Sequence, residues 1–449
     1  MKLLFQIVLF ALRLGVAIGL AVFAWDWRSP IFASIRMPAL AAFIAVALAL
    51  IAFEIWKLRR QRARIKTIAS AAVLLVAGGA FALTLFHEAT FQWQRHDVLQ
   101  ADAARLEYVG RHLIVGYRDP AELQTLVQHR AIAGIFITAH NVRGKTSDAI
   151  RREIASLQSL RRSQGLPPLL IATDQEGGTI SRMSPPLPRQ ASLGDIVRTT
   201  TDETARRDAV RAYATETGRG LADLGFNLNF APVVDLNHHI VNAGDRYTRI
   251  YQRAISDDPQ VVTAVARDYC AALMATGVHC TLKHFPGLGR VVEDTHLNNA
   301  DLTNPVATLE QSDWLPFRAM MNEPGILTML GHARLTAIDP TTPASFSRIV
   351  ISELLRGEWS HEGVLVTDDF NMSPAYSSEG GIGEAAVRAL NAGVDLILVS
   401  YDGDQVYPVL QALLAADDEA RLDRQQLALS EQRLARLRLK PGPVAPGGG

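Results

Sequence analysis

The stretch K-H-F-P-G-L-G-R-V-V-E-D-T-H, from Lys283 to His296, is the part of the sequence that best predicts the fold. It follows a short apolar run, Val278 to Leu282, and closes that run with two basic side chains. A loop rich in proline and glycine then leads to Asp294 and His296. Packing in a protein core does not require polar groups at this density. Because loops held on rigid strands commonly carry catalytic side chains, the stretch predicts a strand that ends at a site.

Seven further apolar runs alternate with helical patterns between residues 106 and 439. Short continuous apolar runs are typical of strands that are buried on both faces of a parallel sheet. One helix between them is predicted to begin at the capping sequence Ser256-Asp257-Asp258-Pro259 and to end at Gly277. Eight strands separated by helices predict an α/β fold, a (β/α)8 TIM-type barrel. The runs are His112–Tyr117, Gly134–Thr138, Leu169–Asp174, Leu228–Asp235, Val278–His284, Ile326–His332, Val364–Asp368 and Asp395–Ser400.

Polar side chains stand at the C-terminal ends of several of these runs. In a barrel of parallel strands these ends meet at one rim, where barrel enzymes carry their catalytic groups. One such residue would be an ordinary strand cap, whereas this number predicts a pocket. The residues are Asp174, Asp235, Lys283, His284, His332 and Asp368.

The first 86 residues are much more apolar than the rest and contain three long apolar segments. Thr67 to Phe86 has no charged residue and is long enough to cross a bilayer as a helix. Met37 to Phe53 is slightly short, and Leu3 to Trp25 is weakened by Arg13 near its middle. We therefore predict about three transmembrane helices in residues 1–86. A connector (87–105), the barrel (106–439) and a disordered tail rich in proline and glycine (440–449) follow.

The basic residues between the second and third segments predict the orientation in the membrane, because loops rich in lysine and arginine stay in the cytoplasm. The third segment then places the barrel on the extracytoplasmic, periplasmic side of the inner membrane. No clear small-x-small cleavage site is present, so we expect a multi-pass protein and not a cleaved signal peptide. The basic residues are Lys57, Arg59, Arg60, Arg62, Arg64 and Lys66.

The composition excludes several classes of partner and site. With 45 basic and 45 acidic residues, the chain has no charge excess that would attract nucleic acid. Cys270 and Cys280 are too few for a disulfide framework or a cysteine-rich metal site. We expect two unpaired core thiols, and a disulfide is the alternative in an oxidising compartment. His238 and His239 have no partner pattern of a zinc site and are interpreted as loop residues.

From Arg111 to Leu439 the chain resembles glycoside hydrolase family 3, in its single-domain β-N-acetylglucosaminidase branch. Five motifs in the family's order carry this likeness, and none of them would suffice alone. They are Asp174-Gln175-Glu176-Gly177-Gly178, Asn229-Phe230-Ala231-Pro232-Val233-Val234-Asp235, Lys283–Gly289, Asp294-Thr295-His296 and Thr367-Asp368-Asp369-Phe370-Asn371-Met372.

The resemblance implies a retaining exo-glycosidase that removes terminal β-linked N-acetylglucosamine through a covalent glycosyl-aspartate intermediate. It implies no metal and no organic cofactor. The predicted topology, not a motif, points to peptidoglycan fragments or envelope glycans as the substrate. The alternatives are a β-glucosidase or another exo-glycosidase of the family, a phosphorylase, and a membrane-tethered glycan-binding protein with little turnover. The oligomeric state is left open.

Catalytic roles follow from the resemblance residue by residue. Asp368 matches the nucleophile, and strand alternation is expected to point Asp369 the other way. His296 matches the general acid/base with Asp294 as its partner. The imidazole suits this role because its pKa lies near neutrality, and Asp294 can fix its tautomer. Glu293 is a less favoured substitute acid.

The substrate-binding groups implied by the resemblance lie at the same rim. We expect Lys283 and Arg253 also to hold Asp368 ionised, since nearby cations lower a carboxyl pKa. Arg246 and Arg249 are weaker matches for the position of Arg253. The implied binding residues are Asp174, Arg253, Lys283 and His284.

Some positions stay open or depart from the family. Asp235 and His332 fit either binding or packing inside the barrel, and Glu176 is interpreted as a structural anchor. Leu288 and Arg290 stand where the branch usually has histidine and aspartate. We expect a reshaped loop there, which puts the substrate preference in doubt.

Overall fold

The computed structural model describes residues 1–60, 64–437 and 439. The chain forms two compact units, Met1–Leu99 and Gln100–Gly449. The division thus falls after Leu99, within the connector predicted for residues 87–105. Arg62 of the basic loop and the tail at 440–449 lie outside the described residues.

The first unit consists of three long helices, α1 (Lys2–Trp25), α2 (Arg36–Arg60) and α3 (Arg64–Gln100), with a 3-10 turn at Pro30–Phe32. All three are long and apolar enough to cross a membrane. Small residues lie between the helices and allow close packing. An ion pair between Arg13 and Glu54 joins α1 to α2. The buried small residues are Ala17, Ala24, Ala47, Ala77 and Ala80.

The second unit is built on one sheet of eight parallel strands, numbered β1 to β8 in chain order. Along the sheet the order is β4-β3-β2-β1-β8-β7-β6-β5, so β1 pairs with β8 and all strands that follow one another in sequence are paired except β4 and β5, which form the two edges. Every strand overlaps its predicted run, and none extends more than one residue beyond it. The α/β prediction is confirmed. The bounds are β1 Leu113–Gly116, β2 Gly134–Phe136, β3 Leu170–Thr173, β4 Leu228–Asn229, β5 Cys280–Phe285, β6 Ile326–Leu330, β7 Val364–Asp369 and β8 Leu396–Val399.

The two edges of this sheet approach one another and leave it nearly closed, as in a barrel. The backbone N–H of Asn229 in β4 donates to the carbonyl of His279 beside β5 (2.9 Å). Further along, the N–H of Val234 donates to the carbonyl of Lys283 (2.8 Å). These bonds fix β5 in register with β4 and hold Lys283 at the rim.

Helices connect successive strands along the sheet. The predicted capping sequence does start a helix, Pro259–Ala275, because the Asp258 side chain accepts hydrogen bonds from the N–H groups of Gln260 and Val261. The main helices are Ala103–Gly110, Pro120–Gln128, Ser147–Ser163, Glu203–Leu224, Pro259–Ala275, Leu315–Met320, Ile349–Glu358, Gly381–Ala392, Val406–Asp418 and Arg424–Ala435. Short helices are Ala139–Val142, Leu193–Thr199, Ile250–Arg253, Leu288–Arg290, Val306–Glu310, Ala344–Phe346, Ser373–Tyr376 and Gly403–Gln405.

Two small strand pairs lie outside the large sheet. Gln175–Gly177 pairs with Ile180–Ser181 in an antiparallel hairpin directly after β3. Asp301–Leu302 pairs with Arg334–Leu335 in parallel, after β5 and β6. Both pairs follow the C-terminal ends of barrel strands, and the hairpin contains Glu176.

Apolar side chains from all the strands except β5 fill the interior of the sheet. Phe136 and Phe230 stack there with ring centroids 5.7 Å apart. Leu437, after the last helix, belongs to the same cluster, and Leu434 and Leu439 pack against it. Arg433 of that helix donates to Asp395, which directly precedes β8 (3.2 Å). The C-terminal segment therefore packs at the end of the strands opposite the rim.

The prediction of two free thiols is wrong, because Cys270 and Cys280 form a disulfide. Cys270 lies in the helix Pro259–Ala275, and Cys280 is the first residue of β5. The short turn between them folds the strand back along the helix and places the two Cα atoms 5.5 Å apart. That separation lies within the usual range for a disulfide.

Candidate active site

The C-terminal ends of the strands bring the predicted site residues to one rim. Lys283 and His284 lie within β5, and Asp368 is the residue before the end of β7. Asp174 directly follows β3. Asp294 and His296 lie on the loop after β5. The groups that the motifs placed far apart in sequence thus share one end of the sheet.

A cluster of two cations and two carboxylates forms one side of the site. Lys283 is only 2% exposed, and its Nζ lies 2.7 Å from Asp174 Oδ1 and 2.6 Å from Glu176 Oε1. Arg253 binds Glu176 with two parallel bonds, of 3.0 Å from Nε and 2.7 Å from a terminal nitrogen. Burial alone would raise the pKa of Glu176, but Arg253 and Lys283 hold that pKa well below its usual range.

This cluster explains which arginine belongs to the site. Arg253 also donates to the carbonyl oxygen of Thr248 (2.8 Å), so both ends of its guanidinium are fixed. Arg246 and Arg249 are exposed. The structure therefore brings Arg253 to the site, as the sequence match favoured. Glu176 is the anchor that orients both cations.

His284 is held by the buried carboxylate of Asp235, which lies on the loop after β4. Its Nδ1 lies 2.7 Å from Asp235 Oδ2, and its backbone N–H donates to the same carboxylate (3.1 Å). The N–H of Leu288 donates to Asp235 Oδ1 (2.7 Å). Asp235, which the sequence left open, therefore orients His284 and the start of the following loop together.

Asp294 ties two loops together behind His296. Its Oδ1 lies 3.2 Å from His296 Nδ1 and accepts the His296 backbone N–H (3.0 Å). Its Oδ2 accepts the backbone N–H groups of Arg246 (2.9 Å) and Tyr247 (3.1 Å). Burial would raise the pKa of Asp294, but the hydrogen bonds from His296 and from these backbone groups hold the pKa well below its usual range.

Thr248 and Tyr247 are site residues that the sequence did not reveal. The Thr248 hydroxyl donates to Asp294 Oδ1 (3.2 Å) and accepts the Thr295 N–H (3.1 Å). The ring centroid of Tyr247 lies 5.5 Å from that of His296. Neither residue belongs to a motif or stands at a strand end, so no sequence signal identifies them.

Asp368 is partly exposed at the rim, and its Oδ1 accepts the backbone N–H of Asp369 (2.8 Å). Burial would raise the pKa of Asp368, but electrostatic interactions with three imidazoles and this bond lower the pKa below its ordinary value. We expected Lys283 and Arg253 to have this effect. Instead they are paired with Asp174 and Glu176, and the groups that lower the pKa are His284, His332 and His296.

The loop that carries His296 is also joined to the segment after Asp368. The N–H of Ser373 donates to the carbonyl oxygen of His296 (3.0 Å). His296 acts electrostatically on Asp368, so the imidazole lies near enough to the carboxylate to affect its pKa. The His296 side chain is 38% exposed, which leaves it open to a ligand.

His332 and Asp369 support the end of β7 from behind. His332 Nε2 donates to the carbonyl oxygen of Asp369 (2.9 Å), so its Nδ1 accepts from the Ser345 hydroxyl (2.7 Å). Burial lowers the pKa of His332. The Asp369 carboxylate accepts from the backbone N–H and the hydroxyl of Ser400 (2.8 and 2.6 Å), so it is directed toward the end of β8.

The two departures from the family motif make contacts of their own. Leu288 is buried, and Arg290 Nε lies 2.7 Å from the buried carboxylate of Asp313. The other oxygen of Asp313 lies 2.9 Å from Nε2 of His238. These residues therefore fix the loop between β5 and His296.

Within residues 1–60, 64–437 and 439, no group of three or more His, Cys, Asp and Glu side chains could hold a metal ion. The His238 imidazole contacts the Asp313 carboxylate, and the exposed His239 lies 3.8 Å from Asp257. The rim carries carboxylates, imidazoles and two paired cations.

The family model for the N-terminal domain of glycosyl hydrolase family 3 matches residues 99–437. A protein named beta-hexosaminidase from Xanthomonas axonopodis pv. citri is 34% identical over 289 residues, which are 64% of this chain and 82% of that protein.

Two solved structures resemble the chain as well. A glycoside hydrolase family 3 beta-N-acetylglucosaminidase from Paenibacillus sp. is 30% identical with a TM-score of 0.67; the match covers 74% of this chain and 61% of that one. A glycosyl hydrolase of the same family from Mycobacterium smegmatis is 30% identical with a TM-score of 0.65, and the match covers 78% and 99%.

Proposed function

Since this chain belongs to glycoside hydrolase family 3, we propose that it is a retaining β-N-acetylhexosaminidase that removes terminal β-linked N-acetylglucosamine. The observation that carries the proposal is that Asp368, with a lowered pKa, interacts electrostatically with His296, an imidazole that is held by Asp294. A β-glycosidase needs a carboxylate on one face of the sugar and an acid at the leaving oxygen.

In the first step an Asp368 oxygen attacks the anomeric carbon, and a new C–O bond forms. The bond to the leaving oxygen breaks with its electron pair, and that oxygen takes the proton from His296 Nε2. Asp294 accepts the hydrogen bond from His296 Nδ1, which fixes the tautomer and orients the ring. An ionised nucleophile is required, and the lowered pKa of Asp368 supports this.

In the second step His296 Nε2 takes a proton from water, and the water oxygen attacks the anomeric carbon. The bond to Asp368 breaks, and the carboxylate is restored together with the free sugar. Two displacements at one carbon return the original configuration, which is the retaining outcome. Acid and base are the same imidazole, because each step leaves it in the form that the next step needs.

The cation–carboxylate cluster is proposed to bind the sugar hydroxyls. The Asp174 side chain is partly exposed and can accept from a hydroxyl while Lys283 holds it in place. Arg253 and His284 complete the proposed binding set. In this proposal Asp235 and Glu176 do not bind the sugar, because each is already occupied in orienting one or more of these groups.

We also infer that residues 1–86 span the inner membrane, that 87–105 connect, and that 106–439 form a (β/α)8 barrel on the periplasmic side. Three apolar helices and the basic loop support the topology. The Cys270–Cys280 disulfide adds support from a separate observation, because disulfides persist in oxidising compartments such as the periplasm. Peptidoglycan fragments or other envelope glycans are the proposed substrates in that location.

The test is hydrolysis of a chromogenic N-acetylglucosaminide by the full-length protein in detergent, beside Asp368→Asn and His296→Ala. We expect losses of about 10³-fold or more for the nucleophile variant and of about 10²- to 10⁴-fold for the acid/base variant. Nuclear magnetic resonance of the first sugar released should show the β-anomer. Full activity in the Asp368 variant would exclude the mechanism.

A further inference from the structure

Exposed apolar side chains in the second unit are concentrated beside His296. Among its described residues, seven large apolar or aromatic side chains are exposed, and four of them lie on the two loops that follow β4 and β5. These four are Val241, Tyr247, Val292 and Leu297, with exposed fractions between 47% and 68%. Exposed apolar groups scattered singly need no explanation, whereas a local concentration marks an interaction site.

The two loops that carry these side chains are held together. The Asn242 amide donates to the carbonyl oxygen of Val292 (2.9 Å), which joins the tips of the loops. Closer to the rim, Asp294 accepts the backbone N–H of Tyr247 (3.1 Å). Leu297 follows His296 directly. The four side chains therefore belong to one fixed surface on the His296 side of the mouth.

The position of this surface determines which part of a substrate can reach it. A general acid protonates the leaving oxygen, so the groups around His296 face the leaving group and not the sugar that is attacked. The charged side chains on the loops do not select an ionic leaving group, because the exposed Arg246 and Arg249 are balanced by the exposed Glu293 and the partly exposed Asp245. Apolar contact is the recognition that these loops offer.

We propose that Val241, Tyr247, Val292 and Leu297 form an apolar subsite for the leaving group, so that the preferred substrates are hexosaminides whose aglycone presents alkyl, acyl or aryl surface. The inference rests on the proposed function and adds the class of aglycone to it. Burial of a methylene group against such a surface increases transition-state binding. For a surface that covers one side of the chain we expect about a twofold gain per methylene.

The test uses methyl, butyl and hexyl β-N-acetylglucosaminides with the full-length protein in lipid nanodiscs, and release of N-acetylglucosamine is measured. The leaving alcohols have similar acidity, so chemistry contributes little to differences within the series. We expect kcat/KM to rise at least about tenfold from methyl to hexyl. Val241→Ser combined with Val292→Ser should flatten this rise. Leu429→Ser, at an exposed leucine on the helix Arg424–Ala435, is the matched control and should leave the rise unchanged.

The outcomes separate the inference from the function on which it rests. Hydrolysis of the methyl glycoside without any rise along the series overturns the apolar subsite and leaves the proposed function standing. No hydrolysis of any member overturns the proposed function itself.

A fluorophore on Val292→Cys, the only free thiol because the two native cysteines are bonded, tests a bilayer contact. Quenching by spin-labelled lipid without substrate would assign the surface to the membrane and overturn the subsite. Absence of lipid quenching, together with a change in emission when hexyl glycoside is added, supports the subsite.

Discussion

Replacement of Asp294 by asparagine tests the coupling between the two loops and His296. The aspartate is buried and accepts hydrogen bonds on both oxygens. In the variant one oxygen becomes an amide nitrogen, which cannot accept. If that atom faces Arg246 and Tyr247, two backbone N–H groups lose their acceptor; if it faces His296, the backbone N–H and the Nδ1 proton of His296 lose theirs.

The magnitudes differ for stability and for rate. Two buried donors without an acceptor cost about 1–3 kcal/mol each, so we expect the free energy of unfolding to fall by about 2–6 kcal/mol. In either orientation the imidazolium that forms in the second step loses a negative charge beside it. We expect kcat to fall about 10²- to 10⁴-fold, the range attributed to general acid–base catalysis.

The assay measures kcat and KM on a chromogenic N-acetylglucosaminide at a temperature where circular dichroism shows the variant to be folded. Asp313→Asn is the matched control, because Asp313 is also buried and also bound to a histidine, His238, but does not contact His296. It should lose comparable stability with a much smaller loss in kcat. If Asp294→Asn keeps kcat within about threefold of the unmodified protein while folded, the role assigned to Asp294 is wrong.

Three further perturbations have defined outcomes. Glu176→Gln leaves two buried cations short of a carboxylate and should cost about 3–5 kcal/mol at pH 7. Because the Glu176 pKa is lowered in the folded protein, its contribution is present above the ordinary carboxyl pKa and disappears as pH falls, so denaturation curves of the two proteins should converge in acid. Cys270→Ser with Cys280→Ser should lower unfolding free energy by about 2.7 kcal/mol for a separation of 10 residues, measured in urea. Added phosphate should leave the rate of sugar release unchanged and yield no sugar phosphate by mass spectrometry; a phosphate-dependent rate would indicate a phosphorylase.

The strands could be predicted because a parallel strand buried on both faces is mainly apolar. β1, β2 and β8 have no polar side chain, and the charged residues of β5 and β7 lie in the C-terminal halves of those strands. The proximity of Asp294 and His296 could also be predicted from the sequence, since two residues this near in one loop stay close in any fold. The bidentate contact between Glu176 and Arg253 joins residues 77 positions apart, and no local pattern encodes such a distance. The prediction that such distant residues meet at one site therefore depended on the motif resemblance more than on spacing in the sequence.

Two expectations failed for reasons of geometry. Lys283 and Arg253 are paired with the carboxylates of Asp174 and Glu176, and the largest electrostatic interactions that lower the Asp368 pKa come instead from three imidazoles. The disulfide depends on how closely β5 returns along the preceding helix, and the number of cysteines in a sequence does not predict that distance. In both cases the residue types were anticipated correctly and their partners were decided by the packing of side chains.

The pairing of the first barrel strand with the last has a consequence for biosynthesis. Leu113 in β1 lies in register with Ile397 in β8, and Leu437 fills the floor of the interior. A ribosome makes β1 long before either of these partners exists. During synthesis, the edge of β1 that pairs with β8 therefore stays unpaired until β8 has left the ribosome. Closure of the sheet is a late event in folding, and until then the growing polypeptide needs protection from premature association.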